Sequence, residues 1–331
     1  MDDPQRLAVV GAGAWGTALA LRWTRAGGEV RQWGRDGGKL ARIRATRRNE
    51  YLPDIPLPES IVLVDGLAEC LDGASQVLVV VPSAAFARTL QQMKPFVRAQ
   101  CRIAWATKGF DPSSGAMLHE LVTNALGERP MAVIAGPTFA TEVARDLPAA
   151  VSLACTDARF GQTLSLGLGG ETFRVYPSDD MVGAAVAGAV KNVLAIAAGI
   201  ADGMALGANT RAALIARGLA EMTRLGSALG AQAETFMGLA GLGDLVLTCT
   251  DDQSRNRRFG LALGRGISPI DAEREIGVVE GKSTAAAVMR RAHAAGVEMP
   301  ITEQVQRVLD GTVSVSIALK ALLAREARRE F

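Results

Sequence analysis

The chain of 331 residues has only two histidines, four cysteines and a formal net charge of +2. So small a charge gives no support for a nucleic-acid partner, which would call for a basic excess. His119 and His293 lie in segments predicted as polar helix surface, so histidine-based catalysis is not expected. No two cysteines form a C-x-x-C pair, which argues against a metal or redox motif. We therefore expect an enzyme without metal, if the chain is an enzyme.

The composition is typical of a soluble globular protein, with 49% hydrophobic and 21% charged residues. The length predicts two domains or one large domain. No signal-peptide pattern precedes the first apolar run, so the reducing cytoplasm is the expected compartment.

Residues 1–179 alternate short β-branched runs with amphipathic segments. Because the runs do not alternate polar with apolar residues, they predict a parallel sheet covered by helices on both faces. Three prolines in Tyr51–Pro58 predict a loop there. The predicted strands are Leu7–Val10, Val30–Trp33, Ile61–Val64, Val77–Val81, Ile103–Ala106, Ala132–Ala135, Ala150–Leu153 and Phe173–Tyr176, and the predicted helices include Ala14–Ala26, Ala84–Met93 and Ala116–Leu126.

Residues 180–331 lack strong strand signals and predict an all-α domain. Asn209 is the expected N-cap of the second helix, Gly226 and Gly230 are expected stops, and Arg217 with Glu221 forms an expected surface pair. The predicted helices are Met181–Ala201, Thr210–Leu229, Arg255–Gly264, Thr284–Ala295, Thr302–Leu309 and Ser316–Arg329.

A G-x-G-x-x-G turn at Gly11, Gly13 and Gly16 stands between the first predicted strand and the first predicted helix. In that frame the first glycine permits a tight turn, the second lets a pyrophosphate approach, and the third allows close helix packing. The free N–H groups at the helix start suit phosphate. This arrangement predicts dinucleotide binding.

Arg35 follows the second predicted strand, where NAD-preferring sites usually carry an acidic residue. An arginine there suits the 2′-phosphate of NADPH, which we favour over NADH. The alternative is that Arg35 is merely solvated and Asp36 turns back to the ribose. Two later turns, at Lys108 and at Gly136 to Thr138, also follow predicted strands, where ligands of α/β proteins usually bind; plain loop chemistry is the alternative for both.

Lys191 is the only ionisable residue of the apolar run Met181–Ala201. An ammonium in such surroundings must be paired, or its desolvation favours the neutral amine. Alternatives are a structural lysine that reaches solvent, or a membrane span, although a lysine in mid-span is costly in lipid. Asp244 follows closely spaced glycines and is a candidate partner for Lys191; it could instead cap a helix.

The run Ser254 to Arg258 reads SRNRR, with Ser254 as the expected N-cap of a helix. Three arginines in the first turn oppose the helix dipole, which favours a bound anion such as phosphate. The alternative is a solvated basic face neutralised by Asp251 and Asp252.

Together these segments resemble the bacterial NAD(P)-dependent sn-glycerol-3-phosphate dehydrogenase family over nearly the whole chain. The stretches that carry the resemblance are GAGAWGTALA, AGPTFA, AGAVKNVLAIAAGIADG, NTRAALIARGLAEM, GLAGLGDLVLTCT, SRNRRFG and VVEG. The resemblance implies interconversion of dihydroxyacetone phosphate and sn-glycerol 3-phosphate for glycerophospholipid synthesis. It implies that Lys191 transfers the proton. It also implies substrate contacts at Lys108, Gly136, Thr138, Asp244, Ser254, Arg255 and Asn256, and cofactor contacts at Ala14, Trp15, Arg35, Lys108, Ala140, Arg255, Val278 and Glu280.

The chain departs from the family pattern in three places. Ala14 stands where a serine is usual, Thr138 replaces a commoner serine, and VVEG continues as KST. The rival interpretations are a β-hydroxyacid dehydrogenase and a regulator that binds NADPH without chemistry. Ala-rich helices in the second domain are compatible with a homodimer.

Overall fold

The computed structural model describes residues 6–325, which form two compact units. Within these residues, the first unit runs to Asp111 and continues over Ala116–Ala185. The second unit comprises Pro112–Gly115 and the residues from Val186 on.

The strands of the first unit are β1 Leu7–Val10, β2 Val30–Trp33, β3 Arg48–Asn49, β4 Leu52–Pro56, β5 Ile61–Leu63, β6 Gln76–Val79, β7 Arg102–Trp105, β8 Met131–Ala135, β9 Ala149–Cys155 and β10 Phe173–Ser178. Eight of them form one sheet in the order β10-β9-β8-β7-β6-β1-β2-β5. The central strands β1 and β6 are buried at every residue, as the apolar run of β1 and the last three residues of β6 predict for strands covered on both faces.

All eight predicted sheet strands are present, and the predicted parallel sheet is confirmed except at one pair of neighbouring strands. Strand β9 runs antiparallel to β8, with Ala132 opposite Cys155. The intervening helix is only five residues long, too short for the usual crossover between parallel neighbours. The predicted loop Tyr51–Pro58 is also wrong in part, because β3 and β4 pair there as a small antiparallel ribbon.

Sixteen helices surround the sheet and build the second unit of the described chain. They are α1 Ala14–Arg25, α2 Gly37–Thr46, α3 Leu67–Leu71, α4 Ser83–Met93, α5 Leu118–Leu126, α6 Ala140–Ala144, α7 Ala158–Leu168, α8 Met181–Gly203, α9 Gly207–Ala228, α10 Ala233–Met237, α11 Asp244–Thr250, α12 Arg255–Gly264, α13 Pro269–Ile276, α14 Glu280–Ala294, α15 Pro300–Leu309 and α16 Val315–Leu323. A single π-helical turn, Leu239–Gly243, precedes α11. Part of the predicted last helix, residues 326–329, lies outside the described residues.

Three predicted details of α9 are wrong. The helix begins at Gly207, so Asn209 is not its N-cap. Gly226 lies inside the helix, where a Cβ would overlap the ring of Phe236, so the glycine allows close packing. Glu221 is buried and accepts hydrogen bonds from the backbone N–H of Ile301 at 2.6 Å and from the backbone N–H and the hydroxyl of Thr302. Its carboxylate therefore caps the start of α15 and does not form the predicted surface pair with Arg217.

Helix α8 is long and apolar enough to cross a membrane by length and composition. However, 89% of its most apolar 18-residue stretch is buried inside the protein. That burial is typical of the core helix of a globular protein. Gly199 and Gly203 of this helix also allow the close approach of α12.

Candidate functional site

The glycine turn between β1 and α1 has the geometry that the sequence predicts. Gly11 has a φ of 135°, and a Cβ there would overlap the carbonyl of Val80. A Cβ at Gly16 would overlap the carbonyl of Gly11, whereas nothing lies within 4 Å of a Cβ position at Gly13. The turn is therefore closed on its protein side and open where a pyrophosphate would approach.

The start of α1 offers donors and no competing acid. Its N-cap is Gly13, which provides no side-chain cap, and its first turn has no acidic residue. The indole Nε1 of Trp15 is buried without a hydrogen-bond partner among the described residues. Free N–H groups, a positive helix end and an open approach fit the pyrophosphate of a dinucleotide. Ala14 adds no side-chain donor.

Two buried amides that the sequence analysis missed hold this turn. Gln32 donates to the carbonyl of Gly11 at 2.9 Å, and Asn49 donates to that of Ala12 at 3.1 Å. Asn49 also donates to Thr17 at 2.8 Å. A lone glutamine within an apolar strand was the available signal for Gln32, but the partner of Asn49 depends on tertiary structure.

Beyond β2, the two candidate ribose contacts have different surroundings. Asp36 is the N-cap of α2 and accepts from the backbone N–H of Lys39 at 2.9 Å. Arg35 is exposed and has no hydrogen bond or ion pair within residues 6–325. The capping bond fixes one oxygen of Asp36 at the start of α2, while the guanidinium of Arg35 has no partner within residues 6–325.

The first unit also brings together three candidate substrate residues. Lys108 follows β7, and its Nζ lies 3.5 Å from the carbonyl of Gly136, which follows β8. Thr138 donates to the same carbonyl at 3.4 Å. Gly136 has a φ of 141° and packs against the backbone of β9, and Ala140 opens α6 two residues after Thr138. These residues cluster at the carboxyl edge of the sheet, where ligands of this fold class bind.

In the second unit, Lys191 lies on α8 and is buried with its partners. Its Nζ donates to Oδ1 of Asp244 and, at 3.0 Å, to Oγ1 of Thr248. Thr248 in turn donates to the backbone carbonyl of Asp244. The amine is thus paired, which is one of the two outcomes expected for a buried lysine, and the alternative of a structural lysine that reaches solvent is wrong.

A glycine-rich turn with close backbone contacts precedes Asp244 and places its side chain beside Lys191. The π-helical turn Leu239–Gly243 leads into α11, and a Cβ at Gly241 would overlap the backbone of Phe236. The N-cap of α11 is Gly243, so the alternative interpretation of Asp244 as the cap is wrong. The glycines therefore place a carboxylate at a helix start and direct it to a buried amine.

Near this pair, burial raises the pKa of the Cys249 thiol to about 12. Lys191 and Arg257 act in the opposite direction but do not outweigh desolvation. The thiol is therefore protonated at neutral pH and is not a nucleophile. Among the described residues, no group of three or more His, Cys, Asp or Glu could hold a metal ion.

The start of α12 provides the second cluster. Ser254 is its N-cap, as predicted, and accepts from the backbone N–H of Arg257 at 3.2 Å. Asn256 is buried; its Nδ2 donates to Asn192 at 3.0 Å and its Oδ1 accepts from the backbone N–H of Gly281 at 2.9 Å. Asn192 adjoins Lys191 in sequence, so one amide–amide bond connects the α12 start to the helix of the lysine.

The three arginines of this turn have different surroundings. Arg257 is buried and forms ion pairs with Asp202 at 2.6 Å and with Asp252. Arg255 and Arg258 are exposed and, in the described part of the chain, have no hydrogen-bond or ion-pair partner. Two guanidinium groups therefore remain for an anion, and carboxylates neutralise the third.

The candidate cofactor residues of the VVEG stretch lie at the start of α14. Glu280 is the first residue of that helix, and Val278 is 60% exposed just before it. Gly281 contacts the backbone of Asn192, where a Cβ would crowd the carbonyl oxygen at 2.6 Å. This segment is therefore held against α8.

Family models match both parts of the chain. The model described as NAD-dependent glycerol-3-phosphate dehydrogenase N-terminus matches residues 6–161, and the corresponding C-terminus model matches residues 180–320. The chain belongs to the NAD-dependent glycerol-3-phosphate dehydrogenase family. It is an NAD(P)-dependent oxidoreductase, and the comparisons favour this identity over the β-hydroxyacid dehydrogenase alternative.

Full-length relatives support the assignment. The chain is 53% identical to glycerol-3-phosphate dehydrogenase [NAD(P)+] of Xanthomonas campestris pv. campestris, covering 100% of this chain and 98% of the relative. It is 52% identical to the enzyme of the same name from Stenotrophomonas maltophilia, covering 98% and 96%. The crystal structure of glycerol-3-phosphate dehydrogenase from Coxiella burnetii superposes with a TM-score of 0.94 at 49% identity, covering 97% and 99% of the two chains.

Proposed function

We propose that this enzyme interconverts dihydroxyacetone phosphate and sn-glycerol 3-phosphate, with Lys191 as the proton donor and acceptor. The nicotinamide cofactor supplies or accepts the hydride at substrate C2. The observation that carries the proposal is the buried Lys191 amine held by Asp244 and Thr248.

Lys191 suits the proton step because its position is fixed and its ammonium form has a carboxylate partner. In the reducing direction its Nζ gives a proton to the alkoxide that develops at C2, and in oxidation the neutral amine removes one. Asp244 orients the amine and stabilises the charged form. Thr248 accepts a second hydrogen bond from the ammonium and so helps to fix its orientation.

Substrate phosphate is assigned to the start of α12. Ser254, Arg255 and Asn256 provide a hydroxyl, an exposed guanidinium and a buried amide in consecutive positions. Binding energy from the phosphate would fix C2 for reaction. Lys108, Gly136 and Thr138 are assigned further substrate contacts, on the motif and on their position at the carboxyl edge of the sheet.

The cofactor is assigned to the glycine turn, and NADPH is favoured over NADH. Support for NADPH comes from Arg35, which is exposed and has no partner within residues 6–325, and from Asp36, one oxygen of which caps α2. The proposed contacts are Gly11, Gly13, Ala14, Trp15, Gly16, Arg35, Lys108, Ala140, Arg255, Val278 and Glu280.

In this proposal residues 1–179 bind the dinucleotide and residues 180–331 bind the substrate and carry the catalytic lysine. A soluble enzyme in the cytoplasm, supplying glycerol 3-phosphate for glycerophospholipid synthesis, fits the buried α8 and the four free cysteines. A homodimer is part of the proposal and is tested by light scattering.

The deciding experiment compares Lys191→Ala with wild type in the reduction of dihydroxyacetone phosphate by NADPH and by NADH. We expect turnover to fall by at least about a hundredfold, in the range of general acid–base contributions. NADPH affinity, measured by calorimetry, should change less than about twofold, because Lys191 is not among the proposed cofactor contacts. Lys320→Ala, which removes an exposed lysine of α16, is the matched control. Near-normal turnover of Lys191→Ala rules out the proton role.

A further inference from the structure

Arg257 is unlike the residues around it at the start of α12. Arg255 and Arg258 are exposed, whereas the side chain of Arg257 is 11% exposed. Its guanidinium pairs with Asp202, which is 10% exposed and lies near the end of α8, and with Asp252 in the segment before α12. The buried charge therefore connects the phosphate-holding turn to the helix that carries Lys191.

Asp202 has a second cationic partner, which orients its carboxylate. One oxygen accepts from Arg257 at 2.6 Å, and the other accepts from Arg211 of α9 at 2.8 Å. The two oxygens thus bind two different helices. A carboxylate held in this way has little freedom to follow Arg257 if α12 shifts.

The same two helices meet backbone to backbone beside this ion pair. A Cβ at Gly199 of α8 would overlap the carbonyl of Arg257, and a Cβ at Gly260 of α12 would overlap that of Ile196. Further along, Gly203 and Gly264 approach each other in the same way. Because no side chains separate the helices here, a small rotation of α12 is not absorbed by flexible groups.

We propose that Arg257 and Asp202 form a positioning pair that fixes the first turn of α12 relative to Lys191, and so sets where the substrate phosphate is held relative to the proton donor. This inference rests on the proposed function. It adds two residues that need not touch substrate, cofactor or the reacting atoms.

The energetic case for positioning is that a cation in the first turn of a helix is unfavourable to the helix itself. An apolar side chain at 257 would avoid that cost and fill the same space. A charge retained there, with two carboxylates around it, gives a directional constraint that an apolar contact lacks. Positioning matters because a displacement of about 1 Å can lower turnover about a hundredfold.

The test uses Arg257→Met, Arg257→Lys, Asp202→Asn and the double variant Arg257→Met/Asp202→Asn in the full-length enzyme. Arg265→Met is the matched control, since Arg265 is exposed at the other end of α12 and its side chain has no partner among residues 6–325. We measure kcat and KM for dihydroxyacetone phosphate, NADPH affinity by calorimetry, and the melting temperature of each variant.

We expect Arg257→Met and Asp202→Asn each to lower kcat/KM by about tenfold to a hundredfold at temperatures where the variants remain folded, with most of the loss in kcat. Arg257→Lys should keep part of the activity. The double variant should lose no more than the worse single variant, because the two residues act as one pair. NADPH affinity should change less than about twofold, and Arg265→Met should retain wild-type kcat.

Wild-type kinetics in the folded Asp202→Asn and Arg257→Met proteins would overturn the positioning role. The positioning role would also be overturned if the kcat/KM losses of the two single variants multiplied in the double variant. It would be overturned as well if the activity of each variant fell only in proportion to its folded fraction. If wild type itself fails to reduce dihydroxyacetone phosphate, the proposed function fails instead, so the two failures are distinguishable.

Discussion

Removing the charge of Asp244 tests the buried ion pair directly. In Asp244→Asn the side chain keeps its shape and one acceptor for Lys191 but no longer compensates the ammonium. The Lys191 side chain is 5% exposed and that of Asp244 is 1% exposed, so water cannot replace the lost partner. Breaking a buried pair costs about 3–5 kcal/mol. Because the amide oxygen still accepts a hydrogen bond, we expect the lower value, about 3 kcal/mol.

The chain provides a matched control in Asp252→Asn. Asp252 also pairs with an arginine of the second unit, but its side chain is 78% exposed, and an exposed pair contributes about 1 kcal/mol or less. A double variant, Lys191→Met/Asp244→Leu, removes both charges. It should recover most of the lost stability, because apolar residues can replace a buried pair at little cost.

The assay is urea denaturation followed by two signals. All four tryptophans (Trp15, Trp23, Trp33 and Trp105) belong to the first unit, so their fluorescence reports that unit. Circular dichroism at 222 nm also reports the helices of the second unit. We expect Asp244→Asn to shift the circular dichroism midpoint and to leave the fluorescence transition less affected. A loss no larger than that of Asp252→Asn refutes the argument that the pair is held by its charge.

Three further predictions concern other positions. Gly260→Ala should lower the free energy of unfolding by about 3 kcal/mol, because its Cβ would overlap the backbone of Ile196, and urea denaturation measures the loss. Burial raises the pKa of the Glu221 carboxyl above its value of 4.5 in the unfolded chain. The protonated carboxyl therefore stabilises the folded protein at low pH, and this stabilisation is lost as pH rises through the raised pKa. The melting temperature of Glu221→Gln should accordingly depend less on pH between 4.5 and 7 than that of wild type. Arg35→Ala should raise KM for NADPH about tenfold to a hundredfold and leave KM for NADH nearly unchanged, since one charge-assisted bond to the 2′-phosphate is lost.

Each of these has a control. Gly37→Ala should be nearly neutral, because nothing lies within 4 Å of its Cβ position; an equal loss in both glycine variants would contradict the overlap argument. Equal pH slopes for wild type and Glu221→Gln would contradict the raised pKa. Arg44→Ala, whose guanidinium pairs with Asp65 at 2.9 Å, should not change cofactor preference; a similar effect in Arg44→Ala and Arg35→Ala would point to general charge in place of a specific contact.

The local patterns of the sequence were sufficient for the dinucleotide turn and for most elements. Gly11, Gly13 and Gly16 stand directly between an apolar run and a helix, and their roles follow from backbone geometry that only glycine permits. Ser254 was also predictable, because an N-cap is chosen by the residue and its immediate neighbours. A lysine isolated in an apolar run predicted a partner or a neutral amine, and Asp244 was a candidate partner that the structure confirms.

Only the tertiary structure determined which groups distant in sequence become partners. The burial of Glu221 depends on the start of α15, eighty positions away, and the pairing of Arg257 depends on Asp202 at the end of α8. The antiparallel direction of β9 is likewise a property of the assembled sheet. Helix propensity and hydrophobic periodicity are properties of a single segment of sequence. Burial, charge pairing and strand direction arise only when two segments pack together, so neither segment alone predicts them.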